Sequence, residues 1–156
     1  MTTINDDKQL NSVQDNDEKN KMDKEMEELW MLSNLDARLT RRHMLDLMES
    51  ANSILQNRVP TMSSLIRVVH ACKNIAYSMK TANGTPIPGK LKKIAVLTCV
   101  EWCIKLNKHI TEDVRVLLLT GIDLTLDPLV DFYVELDVQK NIESAVSSVK
   151  SCCIVC

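Results

Sequence analysis

The chain has 156 residues, enough for one domain with a self-supporting core. Its formal charge of -2 creates no global field for polyanions, so nucleic acid could be held only by a local patch and is disfavoured as a partner. Aromatic residues make up 3% of a composition that is 45% apolar, so the core must come from Leu, Ile, Val, Met and Cys, a supply that suits interlocking helices.

The N-terminus shows no apolar run behind a basic start, and no stretch approaches the roughly 18 continuous apolar residues of a spanning helix. The expected location is therefore cytoplasmic, with membrane association or a virion as the alternatives. Six cysteines in such a chain are expected to stay reduced.

Residues 1–23 are polar, with Ile4, Leu10, Val13 and Met22 scattered among Asn, Asp, Gln and Lys, and read as a disordered acidic leader. The helical domain is expected over 24–149. Its first helix starts near Lys24, with Met26, Leu29, Trp30 and Leu32 on a stripe. Ser33-Asn34 then caps a second segment marked by Leu35, Leu39, Leu47, Met48, Ala51, Ile54 and Leu55, which Pro60 stops; whether it continues from the first helix is open.

Thr61 is an N-cap for a third helix, whose face is Leu65, Val68, Val69, Cys72, Ile75 or Ala76, and Met79. Four breakers follow in Asn83-Gly84-Thr85-Pro86-Ile87-Pro88-Gly89. Lys90 to Asn107 is apolar nearly all round and is the candidate central helix. Thr111 with Glu112 and Asp113 starts another helix, and Gly121 would end it. Within it, Val114–Leu119 also fits a buried strand; helix is preferred. Asp127-Pro128 opens a helix carrying Leu129, Phe132, Tyr133, Leu136 and Lys140, and a last segment carries Ile142, Val146 and Val149 into a cysteine-rich tail over 150–156. The expected fold is all-α, a compact bundle of about five to seven helices.

Gly84 to Leu91 falls one residue short of the phosphate-loop pattern. Pro86 and Pro88 have no N–H to offer a phosphate, and Leu91 has no hydroxyl for magnesium, so nucleotide binding is a minor reading. His70, Cys72, Cys99, Cys103 and His109 could be imagined around zinc, but their spacing matches no knuckle and the cysteines sit within apolar stripes, so no metal and no cofactor is expected. The same thiols show no orienting partner for nucleophilic catalysis, and the chain reads as non-enzymatic. Arg38, Arg41, Arg42 and His43 form one basic cluster. Lys90, Lys92 and Lys93 form another and are the anion-binding candidates.

Cys152-Cys153-Ile154-Val155-Cys156 ends the chain as a C-a-a-X-like tail, with Cys153 the prenyl acceptor and Cys152 a neighbour for palmitoylation. Two lipids would give a stable anchor where one would not, so a peripheral membrane adaptor is the main alternative function.

Leu65-Ile66 with Val69, Gly89-Lys90 with Lys92, Lys93 and Leu97, and Val130-Asp131 with Val134-Glu135-Leu136 together resemble small helical proteins of large nucleocytoplasmic DNA viruses, over about Pro60 to Leu136. The resemblance implies a virion component or a host-interaction factor and carries over no catalytic residue. The leading expectation is thus an interaction or structural protein that presents a helix face to a protein partner.

Overall fold

The computed structural model describes residues 6–131 together with 142, 143 and 146, with side chains from 20 onward. It is helical, with no strand among the described residues. None of the described helices is long and apolar enough to cross a membrane. The chain divides into two units, Met1–Asp36 and Ala37–Cys156.

Among the described residues of the first unit the helix is α1 (Asp6–Ser33). It begins at Asp6 and not near Lys24, so its first turns run through the segment expected to be an irregular leader. Its apolar residues define no continuous face along its length, which is why hydrophobic periodicity marked only the C-terminal part. Ser33 does not cap a following helix. Its hydroxyl donates to the carbonyl of Leu29 at 2.7 Å, within the last turn of α1, and Asn34 adopts a positive φ of 44° that ends the helix.

The second unit opens with α2 (Arg41–Leu55), whose cap is Thr40. The His43 N–H donates to Thr40 Oγ1 at 3.3 Å, and the Thr40 N–H donates to His43 Nδ1 at 3.1 Å. Imidazole thus fills the place of the usual glutamate in a reciprocal capping box. With Nδ1 accepting, the ring proton sits on Nε2 and donates to the carbonyl of Lys80 at 3.1 Å, tying the start of α2 to the loop after the next helix. We expect His43→Ala to cost about 1 kcal/mol of stability. His43→Glu should recover the cap alone, and an unchanged thermal midpoint in both variants would show that this corner contributes nothing.

A left-handed Gln56 closes α2 ahead of Pro60. Thr61 then caps α3 (Met62–Tyr77) through a second reciprocal box with Ser64, as its position after proline leads one to expect. Leu65, Val68, Val69, Cys72 and Ala76 are buried along α3, which settles the alternative between Ile75 and Ala76 in favour of alanine.

Residues 78–88 fold back as a tight turn, with Thr81 N–H donating to Thr85 O and Ile87 N–H to Met79 O, and with Gly84 at φ 78°. Met79 and Ile87 are buried beneath this turn. α4 (Gly89–Leu106) follows and buries Leu91, Ala95, Val96, Cys99, Val100, Trp102, Cys103 and Ile104. Such coverage on several sides fits its contacts, because α4 packs against α2, α3, α5 and the turn that follows α5. It is the central helix, as its composition implies.

α5 (Glu112–Gly121) is helical throughout Val114–Leu119, so the strand alternative is set aside. Thr111 occupies the cap position without a side-chain bond. Gly121 does not end the helix: it keeps right-handed angles, φ -65° and ψ -23°, and leads into a π turn over Ile122–Leu126. A β-carbon on Gly121 would lie 2.5 Å from Met62 Cε, the mobile end of a flexible side chain that could shift to make room, so the helix passes through Gly121 without a terminating role for it. Asp127-Pro128 likewise opens no new helix. Asp127 is itself helical at φ -59° and ψ -51°, its N–H donates to Ile122 O, and residues 128–131 continue the helix. Proline is tolerated there because the wide turn has already displaced the ladder.

Leu118, Ile122, Leu126 and Val130 are the buried residues of this last stretch, and they recur every fourth position. The expected contributions of Phe132, Tyr133, Leu136, Lys140 and Val149 lie outside the described residues, as does the 150–156 tail.

Candidate functional site

Helical spacing places Asp113, Val116, Leu117, Thr120 and Leu124 on one side of α5 and the π turn. Val116, Leu117 and Leu124 are 56%, 70% and 77% exposed. The Thr120 hydroxyl donates to the Val116 carbonyl at 2.9 Å and so is turned back onto its own helix. The outward surface is correspondingly apolar. Val116-Leu117-Leu118-Leu119 explains why: successive residues on a helix are about 100° apart, so four in a row wrap most of the circumference. Only Leu118 of the four is buried.

This face runs into a groove of ≈ 480 Å³ between α5 and α4, lined by Ile94, Leu97, Thr98 and Glu101 on one wall and Leu119, Thr120, Ile122 and Asp123 on the other. Thr120 and Asp123 therefore belong to both the groove and the outer face or its edge. The lining mixes aliphatic side chains with the hydroxyls of Thr98 and Thr120, and carboxylates stand on both walls.

The position of α5 is fixed by Arg115. Its guanidinium donates to the carbonyls of Ile104 at 2.9 Å, Lys105 at 2.6 Å and Asn107 at 3.3 Å, and its Nε to Glu112 at 3.2 Å. Carbonyls at the C-terminal end of α4 are thereby met by a cation from the neighbouring helix, where the helix dipole favours positive charge, and that of Ile104 also accepts the Asn107 N–H at 3.4 Å.

The three lysines at the start of α4 do not converge. Lys92 Nζ donates to the Tyr77 carbonyl at 2.9 Å and lies 5.4 Å from the centroid of the Tyr77 ring, toward the end of α3. Lys93 reaches the other way, to Asp127 at 2.8 Å and Asp131 at 2.7 Å. Hydrogen bonds to Asp127 and then Asp131 raise the Lys93 pKa above the ordinary lysine value, so its ammonium persists through the neutral range. Lys90 is exposed. Cations are the wrong sign for a helix N-terminus, and two of these three are engaged by oxygen acceptors of the protein.

In the other basic cluster Arg42 pairs with Asp46 at 3.0 Å, and His43 belongs to the capping box. Backbone N–H groups of Thr81, Gly84 and Ile87 are all used within the turn before α4, so these three are not turned out to cradle a phosphate.

Cys72, Cys99 and Cys103 meet in the core with Met48. The two thiols of Cys72 and Cys99 are 4.0 Å apart, and Met48 Sδ lies 3.6 Å from Cys99 Sγ and 3.8 Å from Cys103 Sγ. Hydrogen bonding with Cys103 and Cys72, together with burial, pushes the Cys99 thiol well above its usual range and disfavours the nucleophilic thiolate. His70 and His109 are exposed, so no imidazole joins the buried thiols. Among the described residues no set of three His, Cys, Asp or Glu side chains is arranged to hold a metal ion. The lipidation candidates Cys152 and Cys153 lie outside the described residues.

Comparison with protein-family models, curated proteins and solved structures gives no match to this chain. The α5 face was not foreseen as a site. Its sequence signal is the apolar run itself, since three or more adjacent apolar residues on a helix cannot all be covered by one neighbour.

Proposed function

We propose that this chain is a non-enzymatic interaction protein, a bundle of five to seven helices that presents the outer face of α5 and its π turn to a protein partner. The supporting observation is the run of exposed Val116, Leu117 and Leu124 along one side of α5 and its π turn, beside a groove against α4 that Thr120 and Asp123 also line. Exposed apolar side chains that adjoin a groove and are edged by polar groups are the usual composition of a protein contact surface. Burial and protonation of Cys99 fit a packing role for the thiols better than a chemical one. The viral resemblance supplies two settings, a virion component or a host-interaction factor, and both use such a surface.

A photo-crosslinking side chain placed at Leu117, in the full chain within cells that produce it, should yield discrete protein adducts. The same group at exposed Glu49 on α2 is the control. Adducts at Leu117 that are absent at Glu49 are the expected result. Matching patterns at the two positions would overturn the reading.

A further inference from the structure

The charges around the α5 face narrow the kind of partner it fits. Along 112–131 the charged residues are Glu112, Asp113, Arg115, Asp123, Asp127 and Asp131. Arg115, the single cation of this stretch, is folded inward onto the C-terminal carbonyls of α4 and onto Glu112. Exposed Asp113 stands at one end of the apolar strip, and exposed Asp123 at the other, beside Leu124.

Across the groove, Glu101 is paired with Lys105 at 2.8 Å, and Lys93 is shared by Asp127 and Asp131. Lys93 adjoins Ile94 in sequence but is engaged by those two carboxylates, and Lys90 is exposed one turn before Ile94. The surface therefore has an aliphatic centre with acidic ends. Its length along α5 and the π turn suits a helix laid alongside.

We propose that the occupant is a cationic amphipathic helix of a partner protein, with aliphatic side chains on the strip and in the groove and Lys or Arg near Asp113 and Asp123. This rests on the interaction reading above and specifies the partner's chemistry. Charge complementarity decides against the other occupants. An anionic lipid surface would meet Asp113 and Asp123 with like charge, and a second copy of α5 would bring the same carboxylates against them.

The test uses the full chain and two labelled helical peptides about five turns long. One has leucine along one face and lysine on the other, and its twin has glutamate for lysine. Fluorescence anisotropy should show the lysine peptide binding at least about tenfold more tightly than its twin, with the affinity falling as salt is added. Leu117→Ser with Leu124→Ser should weaken binding about tenfold or more, while the far-UV circular dichroism and thermal midpoint stay unchanged. Asp113→Lys with Asp123→Lys should abolish the preference for the lysine peptide.

Equal binding of the twins, or binding that survives both pairs of substitutions, would overturn the proposal. So would binding to phosphatidylserine vesicles, or self-association, that depends on Leu117 and Leu124 in place of peptide binding. If the peptides fail while crosslinks at Leu117 persist, the partner chemistry is wrong and the interaction reading stands. If both fail, the interaction reading falls too.

Discussion

Trp102→Ala should lower the stability of the second unit by about 3–5 kcal/mol, the largest effect of any single truncation considered for this chain. Trp102 lies on the central helix, is 1% exposed, and is the largest of the fully buried side chains. Alanine would remove the transfer contribution of the indole and leave a cavity that α4, packed against several neighbours, cannot close by moving. Domains of this size have about 5–15 kcal/mol in total, so a sizeable part would be lost. Urea unfolding followed by far-UV circular dichroism measures it, with Trp102→Phe as the variant that keeps most of the volume. A loss below about 1 kcal/mol would mean that the core collapses around the gap and that α4 is not its rigid centre.

Arg115→Ala should be the second most damaging change, at about 2–3 kcal/mol, because several hydrogen bonds from one charged donor to the end of α4 are lost together. Arg115→Lys separates charge from shape. A lysine keeps the favourable sign at the helix C-terminus but cannot fork to the carbonyls of Ile104, Lys105 and Asn107 together, so less than half of the loss should be recovered. Hydrogen exchange adds a local readout, with faster exchange expected at the α4–α5 junction before other helices respond. Full recovery by lysine would assign the effect to the dipole alone.

Much of this architecture is written in the sequence where local chemistry and burial agree. Thr61 after Pro60, and the stripe of Leu65, Val68, Val69 and Cys72, give the start and buried face of α3 directly. The all-round apolar text of 90–107 marks the central helix because a helix with neighbours on several sides loses its polar face. The failures fall where one residue type serves two purposes. Ser33 has the chemistry of a cap but bonds backward to Leu29, whereas the second helix starts at Thr40, where a histidine takes a part usually played by glutamate. Gly121 and Asp127-Pro128 carry the marks of an end and a beginning. A glycine in right-handed helix beside the end of Met62, and a proline placed just after a widened turn, leave the same marks. The candidate site was hidden for a related reason: an apolar run tells that burial is needed somewhere, not whether the chain itself provides it.

The π turn has a further consequence for how this protein can change in length. Residues buried at 118, 122, 126 and 130 drift by about 40° at each step on a regular α-helix, because four residues exceed one 3.6-residue turn. The wider turn at Ile122–Leu126 takes up that excess and brings Leu126 and Val130 back into line with Leu118 and Ile122. Deleting one residue there would close the wide turn into a regular α-helical one and leave Val130 about three full turns from Leu118, within about 20° of its line, so Val130 would stay in the core and Asp131 beside Lys93. Thr125, exposed within that turn, is therefore a position where both substitution and deletion should be cheap. The turn is thus one residue of slack in an otherwise regular helix, and a version of the chain shorter by that residue should keep the same buried face.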